Sequence, residues 1–480
     1  MSTHDSLLPD IGLRREDTPA PARTRPPGPA RPSGERRVRP DALRILLLSS
    51  SLGSGHTRAA RAIEVALRAQ HHDIDIRTLD FWALMDDAVS ASLHRAYLAL
   101  VRHRPDLYDR IYMLDQGTWR ATLHGAALPA PMLEGLAVLA KTARATLDEF
   151  PARAAHPLDR LMLRCFCSAW HRTSRLLPGS ENLMRLAVIR SGWAILAHRL
   201  DAMLRSFAPA AVVSTQMNPA ALLAMCGQRK RGALPSIGVI TDFGVHDFWL
   251  QSGVDRYCLP HEDMALRPDP GRAEALVTGI PLMPRFGAPL SQAAARAQLG
   301  LAPDASVVLV AGGGLGIGVE PIANALLASP KGIHVLAVTG SNAEAARQLD
   351  AQAQQEGDRL RVWGWTDDMA LLMHAADVVV GKPGGLTVAE ALACGRPLLA
   401  THSLRAQEDF NVQFLQRHDV GGLVQATHLV PRIEALFAVP AMLAAVQARA
   451  WSLGKRDGAT RIAALVLEAA VNRRETAGAG

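Results

Sequence analysis

Aromatic residues make up only 5% of this 480-residue chain, with four tyrosines, and cysteine is scarcer still. The five thiols, Cys165, Cys167, Cys226, Cys258 and Cys394, are odd in number and lie mostly in apolar contexts. Such a set excludes a disulfide-stapled fold and reads as reduced thiols of a cytosolic protein. Cys165 and Cys167 are spaced CxC with no second pair, which argues against zinc, and no cluster of His and carboxylates stands at metal-ligand spacing. Long hydrophobic runs are missing as well. Residues 207–227 lack charge, but Ser214, Thr215, Gln216, Asn218 and two prolines interrupt them, so they read as strand, turn and helix. Leu46 to Leu48 begins too late, is too short, and lacks the small-residue cleavage site of a signal peptide. The basic segments carry no recognised nucleic-acid motif, which makes nucleic acid the weaker candidate partner, and none is expected.

About half of the residues are apolar, with Ala, Leu and Val abundant, enough for two domains with sizeable cores. Residues 1–40 are rich in Pro and Arg without hydrophobic periodicity and are expected to be a disordered arm. Strands are predicted near 44–50, 74–79, 211–215, 236–240, 255–259 and 275–278, then near 307–311, 334–339, 361–363, 378–381 and 397–401. A long, mainly helical stretch separates the second strand from the third, too long for a simple crossover. Alternating strands and helices of this kind make an α/β protein with two doubly wound parallel sheets facing across a cleft, and ligands at the carboxyl ends of the strands. Much of the net charge of +7 sits in the arm and in residues 160–175. There Arg160, Arg164, Arg172 and Arg175 oppose an apolar stripe, which suits either an anionic membrane surface or plain core packing with a solvated face.

The stretch VVVGKPGGLTVAEALAC, residues 378–394, carries the most chemistry. A buried strand runs into a Lys-Pro-Gly-Gly turn and then a helix, whose free N–H groups and positive dipole end suit a phosphate. Lys382, Pro383, Gly384 and Gly385 form that turn, and Glu390 lies on the same face, where it can accept the hydroxyls of a ribose. A second strand, VVLVA, leads into Gly313, Gly314 and Gly316, where a ligand can approach the backbone closely. No acidic residue ends the strand after it, HVLAVTGSN, so a nicotinamide-dependent dehydrogenase is disfavoured. The first strand ends in SSSLGSGHTRAARAI. Gly53 and Gly55 make the turn, and His56 opens the next helix, where the positive helix end favours the neutral imidazole that a general base requires. Capping the helix or binding a phosphate are its other readings.

Taken in order, Gly53-Ser54-Gly55-His56, Val239 to Phe243 with His246, Phe248-Trp249, Gly253 to Tyr257, Thr278 to Pro281, Gly364 to Met369, Lys382 to Thr387 and Gln407-Glu408 with Asn411 resemble the monogalactosyldiacylglycerol synthase and processive diacylglycerol glucosyltransferase group of glycosyltransferase family 28. More distantly they are similar to the lipid-linked N-acetylglucosaminyl transferase of peptidoglycan assembly. The resemblance runs from Arg44 to about Leu465 and implies a GT-B fold. It implies a lipid-acceptor domain at 41–282, in which this chain departs from the group by a helical insertion at about 118–178, and a UDP-sugar donor domain at 283–480 whose final helix is a candidate to pack back on the first. Glu390 would bind the uridine ribose, the loop at Gly313 to Gly316 and the Lys382 turn the diphosphate, and Gln407 and Glu408 the sugar; Thr366 and Asn411 join this donor set. Gly53, Gly55, Phe243 and Trp249 would face the acceptor. Either His56, or Asp242 acting with His246, would be the base of an inverting transfer to diacylglycerol on the cytosolic face of an anionic membrane. UDP-sugar is the substrate, and no cofactor or obligatory catalytic ion is implied, because fixed backbone groups and Lys382 can neutralise the leaving diphosphate. Leu404-Arg405-Ala406 replaces a Pro and Gly that the group often has before its Gln-Glu pair, leaving the sugar open, and the insertion has no counterpart. A UDP-N-acetylglucosamine 2-epimerase, or a binding protein without turnover, fits the same two-domain pattern.

Overall fold

Leucine- and valine-rich runs without polar interruption form strands buried on both faces, the pattern of parallel sheets covered by helices. The computed structural model describes residues 42–51, 54–85, 87–103, 105–112, 130–135, 138, 180–227, 234–246, 248–249, 254–264, 273–401 and 408–478. The expected arm, almost all of the 118–178 insertion with its basic helix, Gly53 and Gln407 lie outside them.

The first sheet contains β1 (Leu43–Ser49), β2 (Ile74–Asp80), β3 (Ala211–Ser214), β4 (Ser236–Val239), β5 (Arg256–Leu259) and β6 (Glu274–Val277). All pairings are parallel, in the order β2-β1-β3-β4-β5-β6. The second contains β7 (Val307–Ala311), β8 (His334–Val338), β9 (Leu360–Trp363), β10 (Val378–Gly381), β11 (Leu398–Ala400) and β12 (Gly421–Leu423), in the parallel order β12-β11-β10-β7-β8-β9. Eleven of these strands fall within a residue or two of expectation. The exception is β12: with three residues, two of them glycine, it has no periodicity to read. A Cβ on Gly421 would stand 1.9 Å from the Leu398 carbonyl oxygen, so the close approach of β11 requires the glycine.

Strand order reverses direction between β7 and β10 in one sheet and between β1 and β3 in the other. Such switch points open a crevice at the carboxyl ends of the strands. The glycine loop and the Lys-Pro-Gly-Gly turn leave the first crevice; His56 and Thr215 leave the second. Helix α1 (Ser54–Gln70) follows β1, and α2 (Asp87–His103), α3 (Pro105–Tyr112) and α4 (Ser180–Phe207) precede β3. In the second lobe, α5 (Val319–Leu327) follows the glycine loop, α6 (Gly385–Ala393) the Lys382 turn, and α7 (Asp409–Arg417) leads to β12.

The last helix, α8 (Gly458–Gly478), returns to the first lobe. Its Ile462, Ala463, Val466 and Ala470 are fully buried in one cluster with Leu43, Ile45, Leu47 and Ile63. Gln70 and Arg474 add hydrogen bonds to the Thr460 and Ala42 carbonyls at 2.8 and 2.7 Å. Cys226, Cys258 and Cys394 are free and buried, and burial pushes the thiols of Cys258 and Cys394 up to about 12, so neither ionises at neutral pH. Among the described residues no single helix is long and apolar enough to cross a membrane.

Candidate active site

The β1 strand delivers α1 to the cleft, and a Cβ on Gly55 would meet nothing within 4 Å, so the start of this helix is open. One residue on, His56 Nδ1 lies 2.8 Å from the Thr215 carbonyl oxygen and 3.2 Å from Thr241 Oγ1. A carbonyl only accepts, so Nδ1 carries the proton and the lone pair resides on Nε2. Burial holds the imidazole down to about 4, with the Thr215 hydrogen bond opposing. The neutral form was expected from the helix end; burial is its main cause.

The loop after β4 bridges the lobes, and here several expected roles change. A Cβ on Gly385 would stand 1.8 Å from the Thr241 carbonyl oxygen and 2.9 Å from Asp242 Oδ1. Gly385 is therefore required by the opposite lobe as well as by its own turn. Asp242 accepts the Gly385 N–H and, at 3.0 Å, Asn411 Nδ2. Its carboxylate caps the start of α6 from across the cleft, where Gly384 offers no side-chain cap. Burial raises the Asp242 pKa, and Asn411 is the chief group opposing it. Fully buried Asn411, expected in the donor set, spends its amide on this loop, since its Oδ1 also accepts the Phe243 N–H at 2.7 Å. Phe243, expected to face the acceptor, plugs into the second lobe's core with its ring 4.2 Å from Phe414. Trp249 is likewise buried, packed edge-on to Tyr257, whose hydroxyl donates to the Trp249 carbonyl at 2.7 Å. His246 accepts the Phe248 N–H on Nδ1 at 3.1 Å and bonds the Tyr112 carbonyl through Nε2. With both ring nitrogens engaged, it is not placed to relay a proton from Asp242.

On the other side of the cleft the glycine loop and the Lys382 turn are neighbours, a Cβ on Gly313 coming 3.9 Å from Lys382 Cδ. Gly313 and Gly316 adopt φ of +66° and +60°, and a Cβ on Gly316 would lie 1.9 Å from the Thr339 carbonyl oxygen, so no other residue fits. Gly314 accepts the Ser341 N–H at 3.0 Å, tying the loop to the end of β8. Pro383 is buried in its turn. Lys382 Nζ lies 2.5 Å from Oε1 of buried Glu408, which is thus a partner of the lysine before it is a sugar ligand. Glu390 is 3% exposed, and burial raises its pKa. Thr366 Oγ1 accepts the Asp368 N–H at 3.0 Å, which closes the loop after β9.

Two features were not anticipated. Arg58, two residues after His56, reaches across to Glu390 Oε1 at 2.9 Å. Three of the four tyrosines converge on the cleft: the Tyr97 and Tyr108 rings, and the Tyr108 and Tyr112 rings, are each 5.9 Å apart, and Tyr112 lies 4.2 Å from His246. Burial raises all three phenols, which also feel the charge of Glu408, so they remain neutral. Their clustering on 97–112 in a tyrosine-poor chain was the available signal.

Acid should weaken the fold. His56 and His374 are each held down from 6.5 to about 4, chiefly by burial. The unfolded chain therefore takes up protons first as pH falls, so stability is full above the ordinary histidine pKa and declines between 6.5 and about 4. Melting temperatures measured across that window are expected to drop steadily, and His374→Gln to reduce the slope. A flat profile would contradict both shifts.

Residues 180–282 match the family described as Monogalactosyldiacylglycerol (MGDG) synthase, and residues 307–438 the Glycosyltransferase family 28 C-terminal domain. Among curated proteins, the chain is similar to processive diacylglycerol beta-glucosyltransferases of Bacillus pumilus and Bacillus subtilis, 28% identical to each. The matches cover 38% and 39% of this chain and 49% and 51% of those proteins, so the chain spans about half the length of the curated relatives it matches. Two solved structures share the fold. MurG of Acinetobacter baumannii superposes with a TM-score of 0.51 at 14% identity, over 89% of this chain and 99% of that one. A UDP-glucosyltransferase of Polygonum tinctorium gives 0.51 at 12% identity, over 90% and 99%. The Gly55-His56 turn lies outside both matched segments, whereas Asp242, Lys382 and Glu390 lie inside them. The chain has the GT-B architecture, and its residues 180–282 are similar to the MGDG synthase family and its residues 307–438 to the glycosyltransferase family 28 C-terminal domain.

Proposed function

We propose that this protein is an inverting hexosyltransferase that moves a sugar from a UDP-sugar to 1,2-diacylglycerol, giving a β-linked glycolipid. The carrying observation is the Thr241-Asp242 step, which touches His56 on one side and the start of α6 on the other. It brings a neutral imidazole beside the helix end that suits a diphosphate. His56 Nε2 takes the acceptor hydroxyl's proton as the oxygen attacks the anomeric carbon, and the bond to UDP breaks on the opposite face. The first-turn N–H groups of α6 beyond Gly385, the Gly313 to Gly316 loop and Lys382 stabilise the departing charge. The names of the Bacillus relatives support diacylglycerol as acceptor, and the sequence of 160–175 supports docking on the cytosolic face of an anionic membrane.

Glu390→Ala is expected to weaken UDP binding by about 1.5–3 kcal/mol, because the ribose hydroxyls lose a charged acceptor. Calorimetry that shows unchanged affinity alongside a lower melting temperature would leave Glu390 as the partner of Arg58 alone. The reading as a whole is tested with purified protein, diacylglycerol vesicles and separate UDP-glucose, UDP-galactose, UDP-glucuronate and UDP-N-acetylglucosamine, products being resolved by mass spectrometry. A hexosyl-diacylglycerol from one donor is expected. Conversion of a UDP-sugar without lipid, or tight UDP binding with no product, would overturn it.

A further inference from the structure

We propose that His261, Asp263 and His418 form a divalent transition-metal site that staples the two lobes together. The sequence shows no such cluster because 155 residues separate Asp263 from His418. Folding joins them: His261 and Asp263 lie just past β5 in the first lobe, and His418 caps the end of α7 in the second.

One ligand atom from each residue lies within 4.8 Å of the others. Asp263 stands 3.4 Å from His261 Nδ1 through Oδ1 and 2.5 Å from His418 Nε2 through Oδ2. An ion bonded at about 2.0–2.2 Å to each needs ligands roughly 3.3–3.6 Å apart, so His418 draws back from Asp263 by about 1 Å and gives up the Nε2 proton that now joins them. The tautomer of His261 is suitable. Nδ1 accepts the Asp263 N–H at 3.3 Å, which puts the lone pair on Nδ1 in a long bond that an ion must displace, while Nε2 faces Glu262 Oε2 at 3.4 Å. Glu262 is held in turn by Lys455 Nζ at 2.5 Å. A carboxylate behind the far nitrogen of an imidazole orients it and raises its basicity as a ligand.

Phe414 backs both imidazoles, at 4.9 Å from His261 and 4.4 Å from His418. Asp263 and His418 retain 28% and 21% side-chain exposure, which leaves a path for an ion and for water as a fourth ligand. Arg417 is a competitor for Asp263 at 3.6 Å, but its side chain is 60% exposed and can withdraw into solvent. Two imidazoles and one carboxylate favour Zn²⁺, Ni²⁺ or Cu²⁺ over Mg²⁺ and Ca²⁺. The site lies roughly 15 Å along α7 from Glu408, at the helix's other end. An ion there would hold in place the helix whose Asn411 grips Asp242 and Phe243.

The test is calorimetric titration of chelator-treated full-length protein with ZnCl₂ and, separately, MgCl₂. One Zn²⁺ per chain is expected, with a melting temperature raised by about 3–5 °C at saturation and no response to Mg²⁺. His418→Ala and Asp263→Asn, both partly exposed positions, should each weaken Zn²⁺ binding at least tenfold. If His418→Ala unfolds, Asp263→Asn decides alone. Absence of stoichiometric binding would overturn the proposal. So would equal Zn²⁺ affinity in the variants, which would place the ion on others of the 17 histidines.

Discussion

Removing the imidazole in His56→Ala is expected to lower sugar transfer by about two to four orders of magnitude while UDP affinity stays nearly constant. The reason is positional. Thr215 and Thr241 hold Nδ1, which leaves the lone pair on Nε2, and burial keeps that nitrogen unprotonated down to about pH 4. A base of this kind acts on the proton that leaves only in the transition state, so turnover falls and donor binding does not. A phosphate ligand would instead weaken UDP binding, and a purely structural imidazole would lower the melting temperature with turnover preserved. Turnover, UDP affinity and melting temperature on one variant therefore separate the three roles. Activity within about tenfold of the parent, a loss no greater than about 1.4 kcal/mol, would remove His56 from the chemistry. Asp242 would inherit the role without His246, whose nitrogens are committed to Tyr112 and Phe248.

The second large effect is expected from one methyl group. In Gly385→Ala the new Cβ would stand 1.8 Å from the Thr241 carbonyl oxygen, a backbone atom that cannot rotate aside. The loop after β4 must retreat from α6, and Asp242 then loses the Gly385 N–H. Overpacking of this kind costs about 1–3 kcal/mol. Because the same loop holds His56 through Thr241, displacing the base by about an ångström from the donor should cost roughly 100-fold in turnover. Calorimetric unfolding together with the vesicle assay measures both. A variant with parental stability and turnover would show that the two lobes do not meet at Gly385.

Local composition carried much of the architecture. Runs such as VVLVA and VVVG have one stable use, a strand buried on both faces, and they appear as β7 and β10 with the expected bounds. The glycines at 313, 316 and 385 were legible as turn residues, although the carbonyls that exclude a Cβ at Gly316 and Gly385, those of Thr339 and Thr241, come from elsewhere in the chain, and Lys382 and Glu390 follow from their spacing within one strand-turn-helix unit. Side-chain partners across the cleft were another matter. Periodicity shows that Phe243, Trp249 and Asn411 carry buried or polar faces, but not what lies opposite. The structure turns the two aromatics into core and the amide into a clamp. Arg58 on Glu390, Glu408 on Lys382, and His418 on Asp263 depend on strand order and on how one lobe meets the other. Each is a contact between residues distant along the chain, or between groups equally able to bond water, so no spacing rule encodes it; only the tertiary structure decides which charge each buried group answers.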